Sequence, residues 1–413
     1  MTTSAPPADQ PTPTAVVRDV GQLVTVVPYV LGFAPTDSLV VLGLRSRPGT
    51  DRPTVGPAVR IDLHDPDGDP GPLPAGPAWD AVAARMLPHV DEVVLVAFTD
   101  RARPGVDGPA VPDGPRPGVP MADPRSVAEA ERLLDELVAL AGAAGARVRD
   151  AVVVSGGTWW PVTCDDPVCC PRDPVALPQP EQVPAVAELV LAGEAPAGTR
   201  EERLAATRPT PDHPVARAVA RALTRGSTAG PVAQSGPPSA EEVEAGLRAW
   251  RVLLGLGGSA GVTVDGRGPG GVERVAALVA AAVRAIEDVD VRDGLYAWVV
   301  PDLFCPDDVS AGVRETFRAV LGSPVRRTHR EVRRSVGERL LAVGRVLPDG
   351  HAAPTLTAAA VVSWSLDDHM IAVAACERAL TCDPGYAMAR LTMSALRRAV
   401  RFDEVVGSSH RMR

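Results

Sequence analysis

Lysine and asparagine are both missing from this chain of 413 residues, so all 42 of its basic residues are arginines. The skew fits a GC-rich genome, because Lys and Asn codons are AT-rich, and it carries no functional message. Aromatic residues make up only 3%, which leaves a core to be built from Val, Leu and Ala. No apolar run approaches the length that spans a bilayer. The first twenty residues hold four prolines and Asp9 in place of a basic start and an apolar core, so they do not read as a secretory signal. Six cysteines, half of them clustered, are too few for a secreted disulfide framework. Together these absences predict a cytoplasmic protein without a membrane segment. The histidines show no H-x-x-x-H pair, and neither a G-x-S-x-G elbow nor a sequence-assembled Ser, His and Asp set is present.

What is present is a chain with 45% hydrophobic residues, long enough for two to three domains with substantial cores. Gly and Pro, at 38 and 43 residues, imply many loops. The net charge of −9 argues against a dominant nucleic-acid surface, since phosphate contacts favour a basic domain. Arg326, Arg327, Arg330, Arg333 and Arg334 cluster with His329 at one predicted helix start. Helical spacing favours a solvated face there over an anion grip.

The most distinctive stretch runs from Pro28 to Leu44, an apolar segment, a Gly/Pro/Asp turn and a strand. Gly32 is placed to cap a helix in the left-handed conformation. Pro35 fixes φ, and the side chain of Asp37 or Ser38 can accept backbone N–H bonds in the turn. Leu39 to Leu44 is continuously apolar, as a doubly covered strand would be. Around it, residues 1–17 read as a disordered tail, and Arg18 to Leu31 as a helix kinked at Pro28. A Pro/Gly-rich loop after Leu44 leads to a half-buried strand from Ala58 to Leu63, which pairs with the first. Trp79 to Leu87 reads as a helix, Val93 to Phe98 as a buried strand, the stretch from Ser126 as an amphipathic helix, and Val148 to Ser155 as a strand. This order predicts an α/β domain over residues 18–178 with a mostly parallel or mixed sheet.

From about Pro178 the pattern becomes helical, predicting an α-helical domain over residues 179–402 and a flexible tail over 403–413. Gly226 to Pro238 reads as a linker between two helical groups. Gly255-Leu256-Gly257-Gly258-Ser259-Ala260 matches a dinucleotide-binding pattern but follows a helix instead of a strand, and is rejected. Leu356, Ala359, Ala360, Ala372, Ala379 and Pro384 sit at the spacings of one tetratricopeptide-like helix pair with Leu366 to Asp368 as its turn. A protein partner bound through this helical domain is one expectation.

Ligands of α/β sheets favour the crevice beyond the carboxyl ends of the strands. That rule nominates Asp37, Ser38, Asp100, Ser155, Gly156 and Thr158 as ligand-binding residues. The Ser-Gly-Gly-Thr turn at 155–158 lacks the Lys and helix of a phosphate loop, so a glycine turn into a Trp-bearing strand is preferred. Cys164, Cys169 and Cys170 offer three thiolates for zinc, the candidate cofactor, with His64 or His89 as a fourth donor. Transient disulfide chemistry and simple packing of the thiols are the alternatives.

Four segments carry a resemblance: VPYVLGFAPTDSLVVLGLR, RIDL at Arg60 to Leu63, TWWPVTCDDPVCCP at Thr158 to Pro171, and AGEAPAGTREERLA at Ala192 to Ala205. The chain resembles the actinobacterial domain of unknown function family DUF4192. The likeness implies an actinobacterial cytosolic protein and no particular activity. Two readings of function follow: a non-enzymatic binding or regulatory protein, or an enzyme or small-ligand sensor with its site at the sheet rim near the cysteine loop.

Overall fold

The computed structural model describes residues 16–47, 50–64, 74–100, 124–163, 173–191, 194–196, 198–226, 239–256, 261–267, 271–326, 329–398 and 402. They fall into two compact units, one reaching to Arg203 and the other beginning at Leu204.

The first unit begins with helix α1 (Val20–Leu31). The Asp19 side chain accepts the Gln22 N–H at its start, and Gly32 closes it at φ 76°. Only glycine takes that left-handed conformation without a Cβ clash. Strands β1 (Ser38–Arg47) and β2 (Thr50–Asp62) follow as an antiparallel pair. Much of the stretch expected to be a loop after Leu44 is therefore strand: Pro53, Gly56 and Pro57 sit in β2, at the edge of the sheet, where a missing N–H or side chain costs little. Helix α2 (Ala75–Met86), strand β3 (Glu92–Phe98), helix α3 (Pro124–Ala143) and strand β4 (Arg147–Ser155) complete the central layer. Two short strands, β5 (Thr158–Pro161) and β6 (Val175–Ala176), extend it.

The strand order is β2-β1-β3-β4-β5-β6, and the sheet is mixed. Only β3 and β4 run parallel, joined by the crossover helix α3, while the other neighbouring pairs are antiparallel. The mostly parallel arrangement is thus not adopted. The physical reason is that β1 and β2 form a hairpin, and the connection through α2 returns β3 beside β1 in the opposite direction.

Alternation along the strands sorts the core into two faces. Leu39, Val41, Leu95 and Val153 pack under α2 and α3. Val40, Leu42, Val96 and Val152 pack against α1 on the other side. Helix α4 (Pro184–Leu191) then covers α1, through Val183, Ala185 and Val186 against Val26 and Tyr29. Helix α5 (Arg200–Ala205) opens with a reciprocal Thr199–Glu202 cap, and Arg203 donates to the Gly32 carbonyl at 2.7 Å.

The second unit is helical among its described residues. It comprises α6 (Pro214–Gly226), α7 (Ala240–Leu254), α8 (Gly271–Ala285), α9 (Val289–Val299), α10 (Ala311–Leu321), α11 (Arg330–Val346), α12 (Asp349–Ser365), α13 (His369–Cys382) and α14 (Ala387–Arg397). Helix α12 is buried on nearly every side, with Thr355, Thr357, Ser363 and Ser365 buried among its apolar residues. It forms a hairpin with α13 across a turn in which Asp367 takes φ 66°. The few aromatics are core anchors with their polar atoms satisfied. Trp250 donates to the Ala282 carbonyl, Trp298 to that of Gly322, and Tyr296 to that of Pro354. Helix α9, which carries Tyr296 and Trp298, escapes a periodicity reading because its apolar residues surround it instead of forming a stripe. Within the arginine cluster Arg333 is fully buried, 2.6 Å from Asp302 and bonded to the Val325 carbonyl, so the cluster is not simply a solvated face. Both contacts are made by one nitrogen, Nη2, and the Asp302 carboxylate supplies the counter-charge that a buried cation requires.

Candidate functional site at the sheet rim

The register brings distant segments to one end of the sheet. Ser38 at the start of β1 stands opposite Asp62 at the end of β2 and Phe98 at the end of β3. Phe98 in turn stands opposite Val154, one residue before the end of β4. The carboxyl ends of the two parallel strands, the start of β1 and the residues following β2 therefore share one rim. All six residues nominated as ligand-binding lie there.

Backbone bonds tie the rim together. Asp37 donates its N–H to the Asp100 carbonyl at 2.8 Å, and Leu63 donates to the Asp37 carbonyl at 2.9 Å. These hold Asp37 at φ 45°, a left-handed conformation that Asp tolerates better than most residues. The Asp100 carboxylate accepts the Gly156 N–H at 3.0 and 3.1 Å and faces the Ser155 hydroxyl at 3.4 Å. Gly156 and Gly157, at φ 57° and 75°, make the tight turn between β4 and β5. The Thr158 hydroxyl donates back to the Ser155 carbonyl at 2.8 Å. Burial raises the Asp100 pKa, against the lowering effect of the Gly156 and Ser155 hydrogen bonds. The Ser38 hydroxyl donates to the Thr36 carbonyl at 2.5 Å and accepts from Arg60 Nε at 2.8 Å. The rim hydroxyls are thus engaged with backbone, carboxylate and guanidinium.

A second group of side chains completes the rim. His64, just past β2, places Nδ1 2.8 Å from Asp37 Oδ1 and Nε2 3.4 Å from Glu129 Oε2 on α3. The other Glu129 oxygen accepts from Arg125 at 3.0 Å. That guanidinium, with a smaller contribution from His64, holds the Glu129 pKa below its ordinary value. Beside the His64–Glu129 contact opens a cavity of about 230 Å³. Leu63, Ala75, Ala130 and Leu133 give it apolar walls, and His64, Ser126 and Glu129 are its inner polar groups. Arg132 and Glu136 stand at its exposed edge.

Nothing in the sequence alone points to this group. Asp37 and His64 are 27 residues apart and His64 and Glu129 are 65 apart, and Ser126 and Glu129 read simply as polar positions of an amphipathic helix. The three-way mixed sheet topology is what unites them.

Cys164, Cys169 and Cys170 lie outside the described residues. The one proposed fourth donor in the description, His64, directs both nitrogens at carboxylates, and the His89 side chain is likewise not described. Among the described residues no three His, Cys, Asp or Glu side chains converge to hold a metal. Of the remaining thiols, Cys376 is buried and its pKa is pushed up to about 12. No described helix is long and apolar enough to cross a membrane.

Fold and rim define a chain with a mixed α/β unit followed by a helical unit, with polar groups gathered at one end of the sheet. By its sequence it belongs to the family described as Domain of unknown function (DUF4192), whose model matches residues 21–401. The match takes in the α1-to-β1 motif, the rim and the helical unit through α14. No curated protein and no solved structure matches the chain.

Proposed function

We propose that the protein is a non-enzymatic binding protein that senses a small polar molecule in the rim cavity of its α/β unit. The observation that carries this reading is the Asp37–His64–Glu129 line, which sets His64 and Glu129 on the wall of a cavity whose apolar lining includes Leu63, Ala75, Ala130 and Leu133. Apolar walls with a few convergent polar groups are the usual lining of a small-molecule site, and this one is at the small end of such sites. Its volume of about 230 Å³ accommodates a ligand of roughly eight heavy atoms, taking about 30 Å³ as the share of one water molecule in liquid.

Binding is favoured over nucleophilic catalysis by the hydrogen-bond pattern. Nucleophilic catalysis needs a hydroxyl or thiol within hydrogen-bond reach of its base. Both imidazole nitrogens of His64 instead face carboxylates, and the Ser38, Ser155 and Thr158 hydroxyls are directed elsewhere. A second reading, a protein partner on a tetratricopeptide-like surface, draws on the α12–α13 hairpin and on Leu391 of α14, which is two-thirds exposed.

The test is a thermal-shift screen of the full chain against small polar molecules of each charge class, run beside Ala130→Trp, which fills the cavity. A ligand at about 100 times its Kd stabilises the folded state by about 2.7 kcal/mol. Stabilisation of the native chain that disappears in a folded Ala130→Trp variant is expected. Equal stabilisation of both proteins by every hit would sink the cavity as the binding site.

A further inference from the structure

We propose that the rim cavity takes a small primary amine, its ammonium held between Glu129 and Ser126. This rests on the cavity being a binding site, and adds the chemical class of its ligand.

Ser126 provides the first observation. It lies in the first turn of α3, is only 6% exposed, and lines the cavity. Its hydroxyl has no hydrogen-bond partner among the described residues. The oxygen keeps some contact with the cavity's solvent, so a ligand able to pair with it takes the place of water there. The Ser38, Thr99, Ser155 and Thr158 hydroxyls of the rim are engaged, in contrast to this one.

Glu129 provides the second. It lies one turn along the same helix face and is ionised, because Arg125 bonds Oε1 from the solvent side. Its Oε2 faces the cavity with only the 3.4 Å contact to His64 Nε2, at the long end of hydrogen-bond range. A donor entering the cavity therefore meets an anionic acceptor with unused capacity beside a hydroxyl oxygen.

Among small ligands an ammonium fits this pair best. It carries three donors and no acceptor, so one N–H reaches Glu129 Oε2, a second reaches Ser126 Oγ, and the third is left to water. Charge assistance makes the carboxylate bond the stronger of the two. The carbon chain then lies on Leu63, Ala75, Ala130 and Leu133. A carboxylate ligand would set like charges against Glu129. The start of α3 does favour anions, and Arg132 stands at the outer edge of the cavity. Glu129 is nearer the interior and, with Glu136, offsets both. The Asp37 carboxylate behind His64 adds negative charge on the same side.

The experiment uses the full chain with methyl-labelled Leu, Val and Ala, titrated separately with n-butylammonium, butyrate and n-butanol at equal ionic strength. The same titrations are run on Glu129→Gln and Ser126→Ala, each first checked for native circular dichroism. Butylammonium is expected to shift the methyl signals of Leu63, Ala75, Ala130 and Leu133. Its affinity is expected to fall about tenfold or more in Glu129→Gln, the loss typical of a hydrogen bond to a charged group, and by a smaller factor in Ser126→Ala. Butyrate or butanol shifting the same methyls at equal or lower concentration would overturn the amine assignment and leave the cavity as a binding site. So would butylammonium binding undiminished by both substitutions. If no probe of any charge moves these methyls, both the amine assignment and the cavity reading fall.

Discussion

At the scale of single residues, Asp100 shows how the rim places a charge. Its carboxylate is half-buried and its backbone carbonyl receives the Asp37 N–H, so the residue ties the ends of β3, β4 and β1 together. Burial is the larger influence on its acidity and raises the pKa above the ordinary value of 3.8. A group whose pKa is raised on folding keeps its proton in the native state at a pH where the unfolded chain has released it. The stability this gives is complete below the unfolded value and is lost as pH rises through the folded value. Asp100→Asn retains an oxygen for the Gly156 N–H and cannot ionise. In urea titrations from pH 3 to pH 7, the stability of the wild type relative to this variant is therefore expected to decline as pH rises past 3.8. A difference that stays constant with pH, or grows, would show that the native carboxyl is no harder to ionise than the unfolded one.

At the scale of elements, two of the family-bearing segments prove to be one structural joint. Gly32 ends α1, and the guanidinium of Arg203 in α5 lies over the position a Cβ would take. Ala34 also donates its N–H to the Gly198 carbonyl in the turn before α5. Gly32→Ala would place a methyl in a left-handed residue, at a cost of roughly 1–2 kcal/mol, and would push Arg203 from the Gly32 carbonyl. The expected result is a loss of at least that size in chemical denaturation. A companion Arg203→Ala variant relieves the collision but not the backbone strain, so Gly32→Ala should cost less on that background than alone. Equal costs on the two backgrounds would show that the guanidinium does not constrain the site. The cap at Gly32, the strand after it, the amphipathic α3 and the glycine turn at 156–157 were all readable, because each follows from local stereochemistry or a clear period. Strand direction was not, since helix and strand alternation is the same for a crossover and for a return beside an antiparallel hairpin. Helix α9 was hidden by its all-round burial. The nominated rim residues are found because strand ends can be located locally; Glu129 and Ser126 are not, and His64 is singled out only as a zinc donor, because only the tertiary fold makes them meet.

At the scale of the whole molecule, the balance of 51 acidic to 42 basic residues governs which large partners the surface attracts. Affinity for nucleic acid is dominated by phosphate neutralisation and is supported by a basic stripe. The densest arginine stretch in this sequence is 326–334, and burial of Arg333 against Asp302 removes one guanidinium from any such stripe. Arg330 there donates to the Leu366 carbonyl, a contact that fixes it on the protein. Elsewhere the exposed arginines are repeatedly matched with carboxylates, as in Arg147 and Arg149 with Glu92, and Arg248 with Glu244. Each match cancels charge within about one Debye length, roughly 8 Å at physiological salt. The surface therefore presents alternating signs to an approaching polyanion, and the net field repels it. Fluorescence anisotropy with a labelled 30-base-pair duplex in 0.15 M salt is expected to show no binding at 10 μM protein, and lowering the salt to 0.05 M should produce at most weak, sequence-independent association. Sub-micromolar binding in 0.15 M salt, with a steep loss of affinity as salt rises, would mean that several arginines act together on phosphates, and the 326–334 stretch would then be the first place to substitute.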